Sequence, residues 1–199
     1  MGKIIRQSGD IRREQIKASV KEIIFFEGMQ KLTTKNIAKK VGISEGTVFK
    51  HFTSKKAIIN DILKDVYEEM VLPLQQIANT NRDPNTRLEK YICFHLEYLA
   101  KNKGITMLLF SEASYHNDAD LKKMLNETYQ LLEQGFAKIV QDGISEEIWD
   151  QAISVEDIAS LYMGIPLAMN VELLLQHEKF KEISYCNNML VLLQRILRK

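Results

Sequence analysis

The chain has 199 residues, 45% of them apolar and 27% charged, with 9 glycines and 3 prolines. That is enough apolar material for a buried core, it excludes a low-complexity chain, and it favours an all-helical one. The net charge of +1 hides an asymmetry, because residues 1–56 hold 13 Lys/Arg against 5 Asp/Glu while the remainder holds 14 against 21.

In chain order, hydrophobic periodicity predicts a first helix over about 10–26, with Ile16, Val20, Ile23 and Ile24 on one face and Gly28 as a left-handed cap. Thr33 caps a short second helix, Thr34–Val41, which Gly42 ends. Ser44 caps a third through about Phe52, and Ser54 caps a fourth that starts at Lys55 and is ended or kinked by Pro73. Asp83-Pro84 opens a fifth helix as an N-cap followed by proline should. Gly104 separates it from a short sixth, ITMLLFSEASY. Asn117 or Asp118 caps a long seventh that Gly143 stops, and two final helices cover about 155–177 and 179–198. The predicted fold is all-α, about nine helices without internal repeats.

The segment GISEGTVFKHF (42–52) breaks this pattern. Two short helices joined by a tight glycine turn form a helix-turn-helix signature. Gly42 supplies a positive φ at little cost, Ile43 plugs the corner, and Val48 and Phe52 bury one side of the third helix against Ile37 and Ala38. Glu45, Gly46, Thr47, Lys50 and His51 then face outward near the start of a rod narrow enough for the major groove. Gly46 lets the rod approach closely. The helix starts at Thr34 and Lys55 suit phosphates. The basic charge of 1–56 fits this reading, and a solvated surface would produce the same imbalance.

The stretch LTTKNIAKKVGISEGTVFKHFTSKKAI resembles the DNA-binding segment of the TetR family of bacterial transcription regulators, through its Thr-Thr opening, Ile-Ala, Gly-Ile-Ser turn, Gly-Thr, aromatic, His-Phe and Ser-Lys-Lys. With the first helix included, the resemblance spans residues 10 to about 65. It implies that Thr34 and Lys35 hold phosphates, that Glu45, Gly46, Thr47 and Lys50 face bases, and that Phe49, His51, Lys55 and Lys56 grip the backbone, with Ser44 as the cap between them. Many members carry tyrosine where this chain has Phe49, which cannot donate a hydroxyl; Phe49 then packs on sugar or a thymine methyl, or belongs to the core. Glu45 is open to two readings, acceptance from cytosine N4 or stabilisation of the helix start.

The expected division is a DNA-binding head at 1–56 and an effector-binding and dimerisation body at 57–199. One recognition helix reads few base pairs, so a homodimer on a near-palindromic double-stranded operator is expected. Its interface is sought on the last two helices, at Ile158, Leu161, Gly164, Ile165, Ala168, Cys186, Leu190, Leu193 and Leu197, and the family arrangement there is an intersubunit four-helix bundle. The resemblance also implies an effector pocket, for which Phe94, Tyr98, Met107, Phe110, Tyr129, Phe136, Tyr162 and Met163 are the candidate lining and a small hydrophobic or amphipathic molecule the candidate ligand. The expected function is a transcriptional repressor; the alternative is an architectural or cell-division factor that binds DNA without a small ligand.

No catalytic constellation is present: the four histidines lack HExxH or zinc spacing, and neither a phosphate-cradling glycine loop nor a nucleophile elbow occurs. Glu112, His116, Asp118 and Asp120 read better as a helix cap with solvated charges than as a metal site, so neither enzyme activity, metal nor cofactor is expected. Cys93 and Cys186 are expected as reduced core or interface thiols. No apolar run is read as bilayer-spanning and no basic leader opens the chain, which predicts a cytoplasmic protein with no membrane partner.

Overall fold

The computed structural model describes residues 9–103, 105–106, 109–110, 113, 117–176 and 182–199, which form helices and the turns between them, with no strand among them. The chain divides into two compact units, one ending at Asp65 and one beginning at Val66.

The first unit holds α1 (Gly9–Glu27), α2 (Thr34–Val41), α3 (Glu45–His51) and α4 (Lys55–Val66, to Asp65). Ile16, Val20, Ile23, Ile24, Ile37, Val48, Ile58 and Ile62 are sealed inside it. Gly42 ends α2 at φ 75°, in the left-handed region, where a side chain would be strained. Two cations on α1 pair with acids on α4. The Arg13 guanidinium lies 4.1 Å over the Phe52 ring and donates to the His51 carbonyl at 2.7 Å and to Asp61 at 2.8 Å. Lys17, its side chain 5% exposed, reaches Asp65 at 2.6 Å and Glu14 at 2.7 Å. Burial pulls the Lys17 pKa down, but the bonds to Asp65 and Glu14 outweigh it and leave the ammonium above its ordinary range. These pairs fasten α1 to α4 within the unit that ends at Asp65.

In the second unit, helical backbone passes through a π turn at Tyr67–Val71 into α5 (Leu72–Ala78). Pro73 neither ends nor breaks the run; it directly follows the π turn, where Leu72 N–H already bonds the Tyr67 carbonyl and the ordinary α-helical ladder is displaced. Then come α6 (Pro84–Lys101), α7 (Ala119–Ser145), α8 (Val155–Gln176) and α9 (Glu182–Leu197). Asp83 and Asp118 cap α6 and α7 by accepting from Thr86 N at 3.0 Å and Leu121 N at 3.1 Å. Of the expected sixth helix, Ile105, Thr106, Leu109, Phe110 and Ala113 are helical; Met107, Glu112 and His116 lie outside the described residues. α7 runs past Gly143 to Ser145, and Gly143 serves close packing instead of a stop, since a methyl there would overlap the Trp149 ring.

An aromatic cluster centres the body. Phe136 on α7 stacks on Tyr162 on α8 with centroids 4.0 Å apart, and Tyr91 on α6 meets both edge-on. Tyr91 donates to the Leu132 carbonyl at 2.7 Å. Arg87, also on α6, bridges to Asp142 on α7 at 2.7 Å.

Three expectations change here. Cys93 on α6 and Cys186 on α9 are joined in a disulfide, not held as thiols, because the packing of α9 on α6 brings their Cα atoms within 5.4 Å. The same packing buries Leu190, Leu193 and Leu197 inside the subunit along with Cys186, and Ile158 is buried as well. Val155–Leu175 is, among the described helices, long and apolar enough by length and composition to cross a bilayer, contrary to the expectation that no run is. The reason lies in its two apolar sides: Ile158, Tyr162, Met169 and Leu173 face the core, whereas Leu161, Leu167, Val171, Leu174 and Leu175 are exposed.

The disulfide closes a separation of 93 residues. Its reduction is expected to lower the unfolding free energy by about 3–4 kcal/mol, read as a drop in urea midpoint with and without reductant, and the C93S/C186S double variant should show the low value in both conditions.

Candidate nucleic-acid interface and body cavity

The outward side of α2 and α3 is organised by short polar contacts. Thr33 Oγ1 accepts from Asn36 N at 3.1 Å, which caps α2, and Ser44 Oγ accepts from Thr47 N at 3.2 Å, which caps α3. The Ser44 and Thr47 hydroxyls share a hydrogen bond of 2.9 Å, and the Thr34 hydroxyl donates to Glu45 Oε2 at 2.8 Å. Glu45 therefore does two things in the free protein: it lies in the first turn of α3, where the helix dipole favours it, and it ties that turn to the start of α2. Ser54 Oγ accepts from Ala57 N at 3.1 Å at the start of α4.

Lys35, Lys50 and Lys56 are exposed, Lys55 and His51 are half-buried, and the His51 carbonyl is the acceptor for Arg13. Phe49 is 51% exposed, so of its two sequence readings the core one is set aside. Gly46 is exposed, and a Cβ built on it would meet nothing closer than Ser44 Oγ at 3.9 Å. The fold thus makes no demand for glycine at this position. α2, the Gly42 turn and α3 form a helix-turn-helix, with Ile37 and Val48 buried between the helices and the residues above on the open side.

The body holds a cavity of about 310 Å³ that opens to solvent beside the exposed Phe110 and Leu167. Of the expected lining residues, Phe110, Tyr129 and Met163 are on its wall. Tyr98, Phe136 and Tyr162 are buried elsewhere, the last two consumed by their mutual stack, and Phe94 is half-buried off the wall. Sequence reasoning passed over Val66, Met70, His95, Leu99, Leu125, Pro166 and Asn170. A histidine and an asparagine on otherwise apolar helix faces were the available signal. His95 Nδ1 lies 2.7 Å from the Tyr162 hydroxyl, and burial pulls its pKa down to about 4.

Residues 20–62 match the family model described as bacterial regulatory proteins, tetR family. The head is thus of the tetR-family type, and the chain is a helix-turn-helix, DNA-binding transcription regulator. Among curated relatives it is similar to the nucleoid occlusion factor SlmA of Vibrio cholerae, 25% identical over 132 residues, which span 66% of this chain and 67% of that protein. SlmA of Alteromonas mediterranea is 26% identical over 131 residues, 66% of this chain and 67% of that one. Among solved structures, the ketosteroid regulator KstR2 of Mycobacterium tuberculosis shares the fold with a TM-score of 0.80 at 15% identity, covering 94% of this chain and 95% of that one. FadR of Bacillus subtilis, solved with stearoyl-CoA, does so at 0.72 and 19%, covering 90% and 96%.

Two outcomes are expected of the head and the body. Gly46→Ala is expected to leave the urea midpoint unchanged or raise stability by about 0.5 kcal/mol, while the added methyl weakens duplex DNA binding by about tenfold in fluorescence anisotropy. His95 contributes to acid sensitivity. Below its ordinary 6.5 the unfolded chain takes up a proton that the folded chain refuses until about 4, so stability rises with pH across that window. Between about pH 7 and about pH 5 the wild type should lose about 2 kcal/mol more than His95→Gln in paired urea titrations.

Proposed function

We propose that the chain works as a homodimeric repressor on a near-palindromic operator and is released when a small, mostly apolar effector occupies the body cavity. The observation that carries the DNA half is the open face of α3, where Gly46 is unneeded by the fold and Phe49 is left in solvent. Thr47, Lys50 and the backbone at Gly46 meet base edges in this reading, Glu45 exchanges Thr34 for cytosine N4, and Lys35, His51, Lys55 and Lys56 meet phosphates.

The dimer is supported by apolar surface that the subunit leaves uncovered: Leu161, Val171, Leu174 and Leu175 on α8, and Val191, Leu192 and Ile196 on α9. The two helices are joined by the Tyr185 hydroxyl donating to the Ile165 carbonyl at 3.3 Å. The exposed Gly164 and Ala168 allow a partner helix to come close. A symmetric mate covers this face, in place of the buried residues expected at the outset.

The effector half is supported by Val66 and Met70 in the cavity wall, which belong to the helical run that begins at Lys55. A ligand that prefers one arrangement of this run shifts the DNA-binding equilibrium by that preference and no more. KstR2 and FadR, the latter solved with stearoyl-CoA, lend the idea of a lipid-like effector. A second reading, a DNA-bound division factor without effector, is favoured by the relatives named nucleoid occlusion factor.

Genomic footprinting of the purified protein tests both. A few palindromic sites beside genes, released by a small molecule, support the repressor; many sites spread over the chromosome and insensitive to ligands support the division factor. On any such site Lys35→Ala should weaken binding for all sequences alike and reduce the salt slope by about 1. Leu192→Glu should convert the dimer to monomer in sedimentation and lower operator affinity by at least about a hundredfold.

A further inference from the structure

α3 is too short to hold its own direction. It has seven residues, Glu45–His51, of which Val48 is the buried one, and so short a helix is marginal without tertiary support. Its first turn is tied by the Ser44 cap and by Thr34 on Glu45. Its last turn ends in carbonyls that no intrahelical N–H reaches. The His51 carbonyl is one of these, and the donor that meets it comes from another helix: Arg13 Nη1 on α1, at 2.7 Å.

The same guanidinium makes two further contacts. Nη2 donates to Asp61 Oδ1 on α4 at 2.8 Å, and Cζ lies 4.1 Å from the ring centroid of Phe52, the residue that caps α3. One side chain thus fixes the far end of α3 from both α1 and α4. Its positive charge also suits the negative end of the α3 dipole. The planar fork sets two donors at a fixed spread while its face covers a ring, which an ammonium cannot do. The packing of α1 on α4 does not depend on this clasp alone, since Lys17 and Asp65, one turn further along each helix, meet at 2.6 Å.

We propose that Arg13 is a positioning residue for sequence recognition: through the His51 carbonyl it sets the angle at which α3 meets base edges, without touching DNA itself. This rests on the reading in which α3 reads the duplex. Contacts to base edges carry the discrimination and need their geometry, whereas phosphate contacts carry no sequence information. Loosening the clasp therefore lowers affinity for a preferred sequence and spares affinity for other duplexes.

Two duplexes test it: one enriched from a random-sequence pool by the wild-type protein, and the same bases scrambled. Full-length protein is titrated on both by fluorescence anisotropy across a salt series, at a temperature where circular dichroism shows each variant folded. Arg13→Lys keeps the charge and loses the fork. It should bind the enriched duplex about tenfold more weakly, with the scrambled affinity and the salt slope unchanged. Asp61→Ala sets two effects against each other. Removing a carboxylate from the basic head strengthens attraction to every duplex alike, whereas positioning lowers the enriched-to-scrambled ratio by about tenfold. A wild-type ratio in either folded variant overturns the inference. A parallel loss on both duplexes, the mark of a phosphate contact by Arg13, does so too. Should Arg13→Lys fail to fold, Asp61→Ala decides alone. Gly46→Ala separates the inference from the reading beneath it. If it lowers the ratio and the clasp variants do not, the inference alone falls. If Gly46→Ala also leaves the ratio untouched, or the pool enriches no sequence, both fall.

Discussion

The left-handed turn at Gly42 is the constraint on which the head depends. Its N–H reaches back to the Ala38 and Lys39 carbonyls, and Ile43 N bonds the Ala38 carbonyl at 2.9 Å, so the end of α2 is closed within two residues. That closure aims α3 so that Val48 is buried, and burying one side of a two-turn helix leaves the other side open. The open face of α3 is thus set by what must be hidden from water. Its polar residues then hold one another in place, Thr34 with Glu45 and Ser44 with Thr47.

Charge in the head is sorted by location. Arg13 and Lys17 are occupied by Asp61, Asp65 and Glu14, and Lys40 by Glu22 and Glu27. These pairs fasten helices and add little to the field outside. Lys35 and Lys50 stand exposed on α2 and α3. A basic total was visible in composition, but which cations meet solvent depends on partners that only the folded chain brings near.

What was legible in the sequence was local. Thr33, Ser44, Asp83 and Asp118 each cap the helix expected of them, because a cap is decided within three residues. The π turn left a trace that periodicity alone did not flag. Val66, Met70, Leu74 and Ala78 are all fully buried at intervals of four, a spacing that drifts by about 40° per step in an α-helix; a wider turn takes the drift back. Long-range facts were not legible. The stripe Cys186, Leu190, Leu193, Leu197 was a correct apolar face with its partner misassigned, since α6 and not a second subunit covers it. Phe136 and Tyr162 were misplaced for the same reason: an aromatic at helical spacing looks alike whether it stacks in a core or faces a hollow. Asn170 and His95 were the informative residues, polar where burial would favour carbon.

The bond between Cys93 and Cys186 makes a ring of the intervening chain, which includes α7, α8 and the start of α9. A protease that nicks the main chain anywhere inside that ring leaves a single covalent molecule of unchanged mass apart from the added water. The two pieces separate on a denaturing gel only once a thiol has opened the link. The ring also keeps the severed ends near one another, so a nicked subunit reassembles as one body, at a rate independent of protein concentration.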